Sequence, residues 1–402
     1  MAGMRLHYGW VIVAAGAMTV FACLGLARFA YGMLLPLMGK SLALGYDQMG
    51  FISTGNFAGY LTAVAMAPFS MRRWSGRRTI AAGLAIVGVC MILIAFADGF
   101  GEILGLYLLT GVGSGLANVP MMVLVSHWFT RKTRGRAAGL MLVGNGVAII
   151  FTGWLVPALD AGIGAEGWRW GWGILGGLSV LISAAAVALL RDAPSDMGLE
   201  PIGAAAAETS APLSPRARPD RGIVVHLGIL YLVFGFTYMI YGTFIVTTMV
   251  VERGMGVAAA GHFWSWVGLI GLVSGPLFGS LSDRIGRRAG FMAVFAVQTI
   301  CYGTAGLDLG TWSLLLSVAL YGLSAWSIPT IMTAAVGDYM GPARAASAFS
   351  VITFFFGAGQ TAGPSIAGVI SKSTGTFSES YLAAAACTAI AVLIAFRLPK
   401  PG

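Results

Sequence analysis

Apolar residues run along this chain in long stretches broken by short polar clusters. The stretches fall at 9–37, 47–70, 79–97, 102–127, 136–159, 170–190, 226–250, 260–281, 289–307, 312–336, 346–370 and 381–397. A helix of about 20 apolar residues spans the roughly 30 Å hydrocarbon core of a bilayer. The pattern therefore predicts an all-α membrane protein with twelve transmembrane helices. The first run is long and lacks a small-residue cleavage pattern, so it reads as a span and not as a cleaved leader. The longest polar interruption, 191–224, is rich in Pro, Ala and Ser and has no apolar period. It reads as a flexible linker. The chain thus divides into a six-helix half at 1–190, the linker at 191–224, and a second six-helix half at 225–402.

Composition agrees with this pattern. Hydrophobic residues make up 57% of the chain and charged residues only 10%, against about 25% charged in a soluble domain. So few charges cannot cover a water-facing surface. The net charge of +9 raises the question of nucleic acid, and the placement of the charges answers it. Of the 24 Lys and Arg residues, nineteen fall on the side of the N-terminus. Four (Lys40, Arg169, Arg253 and Lys372) fall on the other side, and Arg28 falls on neither. Cytoplasmic loops carry such an excess. Both termini and the 191–224 loop are therefore expected in the cytoplasm, and no nucleic-acid partner is expected. Cys23, Cys90, Cys301 and Cys387 all lie inside apolar runs, and the four histidines are scattered. No metal, cofactor or enzymatic constellation is expected from them.

The halves repeat one another. "GRR" recurs at 76–78 and 286–288, "RAA" at 136–138 and 344–346, and Pro120 answers to Pro329, all at an offset near 209. Two repeated halves around a midplane cavity is a plan common among secondary transporters.

"GSLSDRIGRR" at 279–288 resembles the loop signature of the major facilitator superfamily. "GWRWGW" at 167–172 and "GQTAGPSIAG" at 359–368 resemble two further motifs of that superfamily. "ARFAYGMLLPLM" at 27–38, followed by "GNFAGYL" at 55–61, is similar to its YbfB-like branch. The "RDAPSDMGLEPIG" tail has some likeness to the monocarboxylate and oxalate/formate branches. The resemblance implies two six-helix halves, alternating access, and a conformational switch at Gly279, Asp283, Arg284, Gly286, Arg287 and Arg288. In the first-half counterpart, "FSMRRWSGRR", Arg73 takes the slot of the acid. The organic-anion branches commonly place a basic residue in helix eight, and this chain has none there before Arg284.

Arg28 is the basic residue well inside a span, about 18 residues, or roughly 27 Å of rise, beyond the helix start. Its burial costs at least about 2.5–3.5 kcal/mol. It reads as an anion clamp, because guanidinium matches carboxylate with two parallel bonds. The competing reading is a structural charge bonded to carbonyls. Asn56, Asn118, Asn145 and Gln360 are the amides at lipid depth in helices that, by the resemblance, line a cavity; Gln298 ranks below them. Asn118 precedes Pro120, so a freed backbone carbonyl is its expected partner. Tyr31, Tyr238 and Tyr241 offer hydroxyls. Asp338 is expected to pair with a cytoplasmic arginine such as Arg344, and His127 to be an interface residue. No Asp or Glu lies in mid-span, which suggests that the substrate brings the negative charge.

The sequence thus reads as a monomeric secondary transporter of the bacterial inner membrane. Its expected substrate is a small organic anion such as a monocarboxylate, with a proton as the expected coupled partner. Efflux of amphipathic compounds is the rival within transport, and a non-transporting receptor on the same fold is the rival outside it. Reporter fusions test the topology. Those after Glu208 and Gly402 should report cytoplasm and one after Asp98 the opposite side; an external signal at Glu208 would overturn the six-plus-six reading.

Overall fold

The computed structural model describes residues 7–203 and 221–399. Arg5, Arg216, Arg218 and Lys400, four of the expected cytoplasmic charges, lie outside the described residues, as does 204–220 of the expected linker. Among the described residues the chain is almost wholly helical and has no strand; an isolated bridge joins Phe129 to Ile202. In chain order the helices are α1 (Gly9–Ser41), α2 (Tyr46–Trp74), α3 (Gly76–Ile94), α4 (Phe100–Trp128), α5 (Arg131–Ile163) and α6 (Gly167–Leu189). There follow α7 (Arg221–Glu252), α8 (Val257–Ile285), α9 (Arg287–Gly306), α10 (Thr311–Met340), α11 (Pro342–Thr374) and α12 (Ser378–Phe396). Nine helical stretches among the described residues are long and apolar enough to cross a membrane; one of them, Thr133–Leu189, takes in both α5 and α6. α2, whose run carries Ser53, Thr54, Asn56 and Tyr60, and α11 fall outside that set.

The contacts divide the chain into two compact units. One comprises Met1–Leu42 and Gly55–Ser210, the other Ala43–Thr54 and Ala211–Gly402.

In the first unit, α1 is wound as a π-helix over Phe21–Phe29. This wide turn is rare and is frequent at functional sites; Arg28 lies in it. α2 and α4 meet backbone to backbone. A Cβ at Gly111 would collide with the carbonyl oxygen of Asn56, and one at Gly59 with that of Leu108. Membrane helices are held largely by such close packing. At one end of the unit Arg169 joins the turn before α6 to the stretch that follows α3. It donates to the carbonyls of Ala95 (3.0 Å) and Ala97 (2.8 Å) and pairs with Asp98 (2.8 Å) and Glu166 (2.7 Å). A cation at the last carbonyls of α3 also complements the helix dipole.

At the opposite end, residues 191–203 are fixed and not loose as expected. Asp192 Oδ1 accepts from the Arg77 N–H (2.8 Å), and the Trp128 indole donates to the Arg191 carbonyl (3.0 Å). Ile202 exchanges bonds with the backbone of Trp128 and Thr130. Leu199 and Ile202 pack on the core of Ile12, Met121, Leu124 and Trp128. These two apolar anchors in a Pro- and Ser-rich stretch hold it down. His127 bonds here too, to the Asp192 carbonyl (3.2 Å).

In the second unit, α10 is α-helical over Thr311–Ser324 and again over Ser327–Met340, with a break at 325–326. Pro329 has no N–H to continue the ladder. Ser274 of α8 takes the place of the missing helical acceptor: its hydroxyl accepts from the Trp326 N–H (3.1 Å) and contacts the Ser327 hydroxyl (2.8 Å). Pro120, its repeat partner, lies inside an unbroken α4. The start of α2 belongs to this second unit. Thr54 donates to the Thr361 carbonyl (2.7 Å), Ser53 contacts Thr243 (3.2 Å), and Asp47 pairs with Lys372 (2.8 Å).

The contact of α2 with α4 generates a direct test. Gly111→Ala should lower the thermal midpoint of the purified protein, since overpacking costs about 1–3 kcal/mol. Gly105→Ala, where an added Cβ meets nothing within 4 Å, should leave it unchanged or raise it.

Candidate functional site

The widened turn of α1 aims Arg28 at α2. Its Cζ lies 4.7 Å from the ring centroid of Phe57 and 4.7 Å from that of Tyr60. These two rings are three residues apart and therefore share one face of α2. Each such contact is worth about 0.5–2 kcal/mol, so the pair offsets much of the cost of burying the cation. The rings satisfy the charge but not the donors: Arg28 Nε and Nη2 are buried and have no hydrogen-bond partner. Arg28 has no ion pair among the described residues.

Three of the four expected amides, Asn56, Asn118 and Asn145, lie in the same unit as Arg28. Asn118 donates to the Tyr60 hydroxyl (2.8 Å) and not to a carbonyl freed by Pro120. An aromatic hydroxyl on α2 reaches it first. Asn118 Oδ1 and Asn145 Oδ1 are buried without partners. Asn145 stands close to Gly25, one turn before Arg28. Asn56 donates to the Tyr107 carbonyl (3.1 Å), and Tyr107 donates to the Arg28 carbonyl (3.4 Å). Tyr31 packs on Tyr107, with 4.9 Å between centroids. Tyr31 and Asn56 thus support the Arg28 backbone through Tyr107. Sequence reasoning missed Phe57, Tyr60 and Tyr107. The available signal was the pair of aromatics in "GNFAGYL" at helical spacing.

The other three candidates lie in the second unit. The Tyr241 hydroxyl is bonded to Ser317 (2.8 Å), and its ring stacks on Tyr321 at 4.3 Å. Tyr321 in turn donates to the Tyr238 carbonyl (3.1 Å), and Tyr238 packs on Trp326. Gln360 is buried on α11 with Oε1 unpartnered. Gln298, which ranked below it, is also fully buried, with neither amide atom partnered.

Around "GSLSDRIGRR", Arg287 is the centre. It pairs with Asp283 (2.5 Å) and Asp338 (2.6 Å) and donates to the Ser282 hydroxyl (2.8 Å). Asp338 therefore pairs with Arg287, one of the arginines expected on the cytoplasmic side. The cause is the turn at Gly286 (φ +88°), which points α9 and its first residue back toward α10. Arg288 stacks over Phe396 at 4.2 Å. Gly279 faces Thr330 of α10, and Arg284 is exposed.

Residues 20–396 match the family described as the uncharacterised MFS-type transporter YbfB. The chain belongs to this family. It is a membrane transporter of the MFS type and not an enzyme. It is similar to mouse monocarboxylate transporter 11, at 26% identity over 98% of this chain and 88% of that protein. It is similar also to the hexuronate transporter of Bacillus subtilis, at 22% identity over 94% and 91%. Among solved structures it resembles a bacterial homologue of the human lysosomal transporter Spinster in an inward-facing, occupied conformation. There the TM-score is 0.74 at 14% identity, covering 98% of this chain and 97% of that one. The fold is thus that of the MFS transporters.

In this MFS transporter the Asp283–Arg287–Asp338 cluster lies away from Arg28 in sequence and in unit. Asp283→Asn should slow transport several-fold while leaving the substrate Kd within about twofold. Loss of binding by a folded Asp283→Asn protein would remove the cluster from the switch and assign it to the substrate site.

Proposed function

We propose that this transporter carries a small organic anion, a monocarboxylate in the simplest case, and that Arg28 holds its carboxylate. One observation carries the reading. Nε and Nη2 of a guanidinium present two parallel N–H bonds along one edge, the geometry a carboxylate accepts with both oxygens. In Arg28 that edge is buried and unpartnered, while Phe57 and Tyr60 sit by the guanidinium. The partnerless Asn118 and Asn145 oxygens suit a hydroxyl or a carboxyl proton of the same solute. The monocarboxylate and hexuronate named for the two relatives both carry a carboxylate, which supports the same class.

Transport then proceeds by alternating access across the bacterial inner membrane, with twelve spans and both termini cytoplasmic. A monoanion moving inward works against an inside-negative potential by about 2.3 kcal/mol per 100 mV. Uptake therefore requires a co-transported proton, which makes the movement electroneutral.

Binding to purified protein tests the site. Lactate, pyruvate and glucuronate serve as probes. Arg28→Ala should weaken carboxylate binding by roughly tenfold to a hundredfold, the worth of a hydrogen bond to a charged group. Arg28→Lys should recover little of it, because an ammonium is a point charge without the two-pronged edge. Equal affinity in wild type and both variants, for a solute shown to be transported, would reduce Arg28 to a structural charge.

A further inference from the structure

The first unit has a second place built for negative charge, remote from Arg28. A cavity of about 590 Å³ opens where α2 ends and α3 begins, lined by Trp74, Ser75, Arg77, Arg78, Val187 and Asp192. Its lining is two-sided in chemistry. Trp74 and Val187 are large apolar groups about half exposed, as side chains facing lipid are. Arg77 and Arg78 supply two positive charges, and neither has an ion pair among the described residues. The N-terminus of α3, which starts at Gly76 with no acidic residue in its first turn, adds a partial positive charge. The lone carboxylate, Asp192, has Oδ1 engaged by the Arg77 N–H, so the cavity keeps a net positive charge.

The corresponding turn of the second unit is different. There Arg287 is neutralised by Asp283 and Asp338. In the first unit Arg73 stands where the acid would be, and among the described residues neither the Arg77 nor the Arg78 side chain forms an ion pair. A cationic cavity at a helix end, walled in part by exposed apolar side chains, has the character of a headgroup pocket.

We propose that this cavity binds a phosphate-bearing anion, with Arg77 and Arg78 on the phosphate and Trp74 and Val187 against an acyl chain when that anion is a phospholipid. The site is independent of the Arg28 reading and of which face of the membrane it occupies. A bound anion would bridge the end of α2 and the start of α3 through one charge.

The test uses the full-length purified protein, titrated with phosphatidylglycerol, phosphatidylethanolamine and inorganic phosphate and read by native mass spectrometry and thermal shift. Each charge near the surface changes anion affinity about fivefold. Arg77→Gln combined with Arg78→Gln should therefore weaken phosphatidylglycerol binding roughly thirtyfold. Arg134→Gln with Arg136→Gln, which removes the same charge from two exposed arginines, should change it little. Asp192→Asn keeps an oxygen for the Arg77 N–H and should tighten binding about fivefold, a gain that misfolding cannot produce. Selectivity for phosphatidylglycerol over phosphatidylethanolamine identifies a lipid as the ligand. Binding of inorganic phosphate alone, lost in the Arg77/Arg78 variant, supports the site with a soluble ligand. Equal losses in the two double variants, or no response to Asp192→Asn, would overturn the proposal.

Discussion

A guanidinium held inside a membrane domain without a counter-charge is the constraint around which the first unit is organised. Two aromatic faces stabilise the charge of Arg28, and their combined worth of about 1–4 kcal/mol is comparable with the cost of its insertion. Ring faces do not accept directional N–H bonds as oxygens do, so the Nε and Nη2 donors stay unmatched. The surrounding structure serves to keep that arrangement in place. The close contact of α2 with α4 at Gly59 and Gly111 brings Tyr107 under the α1 backbone. Asn118 fixes the hydroxyl of one of the two rings. The protein thus maintains a cation that is electrostatically tolerated and chemically unsatisfied, which suits a site meant to be occupied by an anion for part of a cycle.

The two units use the same turn for different ends. Where α8 meets α9, a glycine at φ +88° sets a three-membered ion cluster of Asp283, Arg287 and Asp338. Where α2 meets α3, Ser75 adopts a similar backbone at φ +76°, a region that strains a residue with a Cβ. The acid at that turn comes from Asp192, more than a hundred residues away in sequence. The two turns thus share a backbone conformation but draw their negative charge from different segments.

Features carried by one residue type in one run were legible in the sequence. The helices, the lone Arg28 in a span and the loop signature all followed from hydropathy, charge and motif. Features that depend on which faces meet were not. Nothing in "GNFAGYL" says that Phe57 and Tyr60 face α1 rather than lipid, because α1 reaches them through a π-turn that leaves no composition signal. Asn118 was read against its own helix because Pro120 is local, whereas its partner Tyr60 lies on another helix. Residues 191–203 looked loose because two apolar anchors, Leu199 and Ile202, are too few to form a period. Arg287 could be named as part of the switch, but its pairing with Asp338 depends on the direction α9 takes after Gly286.

The joint in α10 gives the second unit a mechanical property. Helices resist bending because a bend stretches main-chain hydrogen bonds on its outer side. At 325–326 that resistance is already removed: Pro329 offers no N–H, and the Trp326 N–H is held by a side chain, Ser274, on a separate helix. The segment Ser327–Met340 can therefore swing as a short lever on a fulcrum at Ser274 without breaking its own ladder. Asp338 sits near the far end of that lever, bonded to Arg287. The Asp338–Arg287 bond would carry any rotation at the fulcrum to the ion cluster, so the loop between α8 and α9 is joined through α10 to a break deep in the helix.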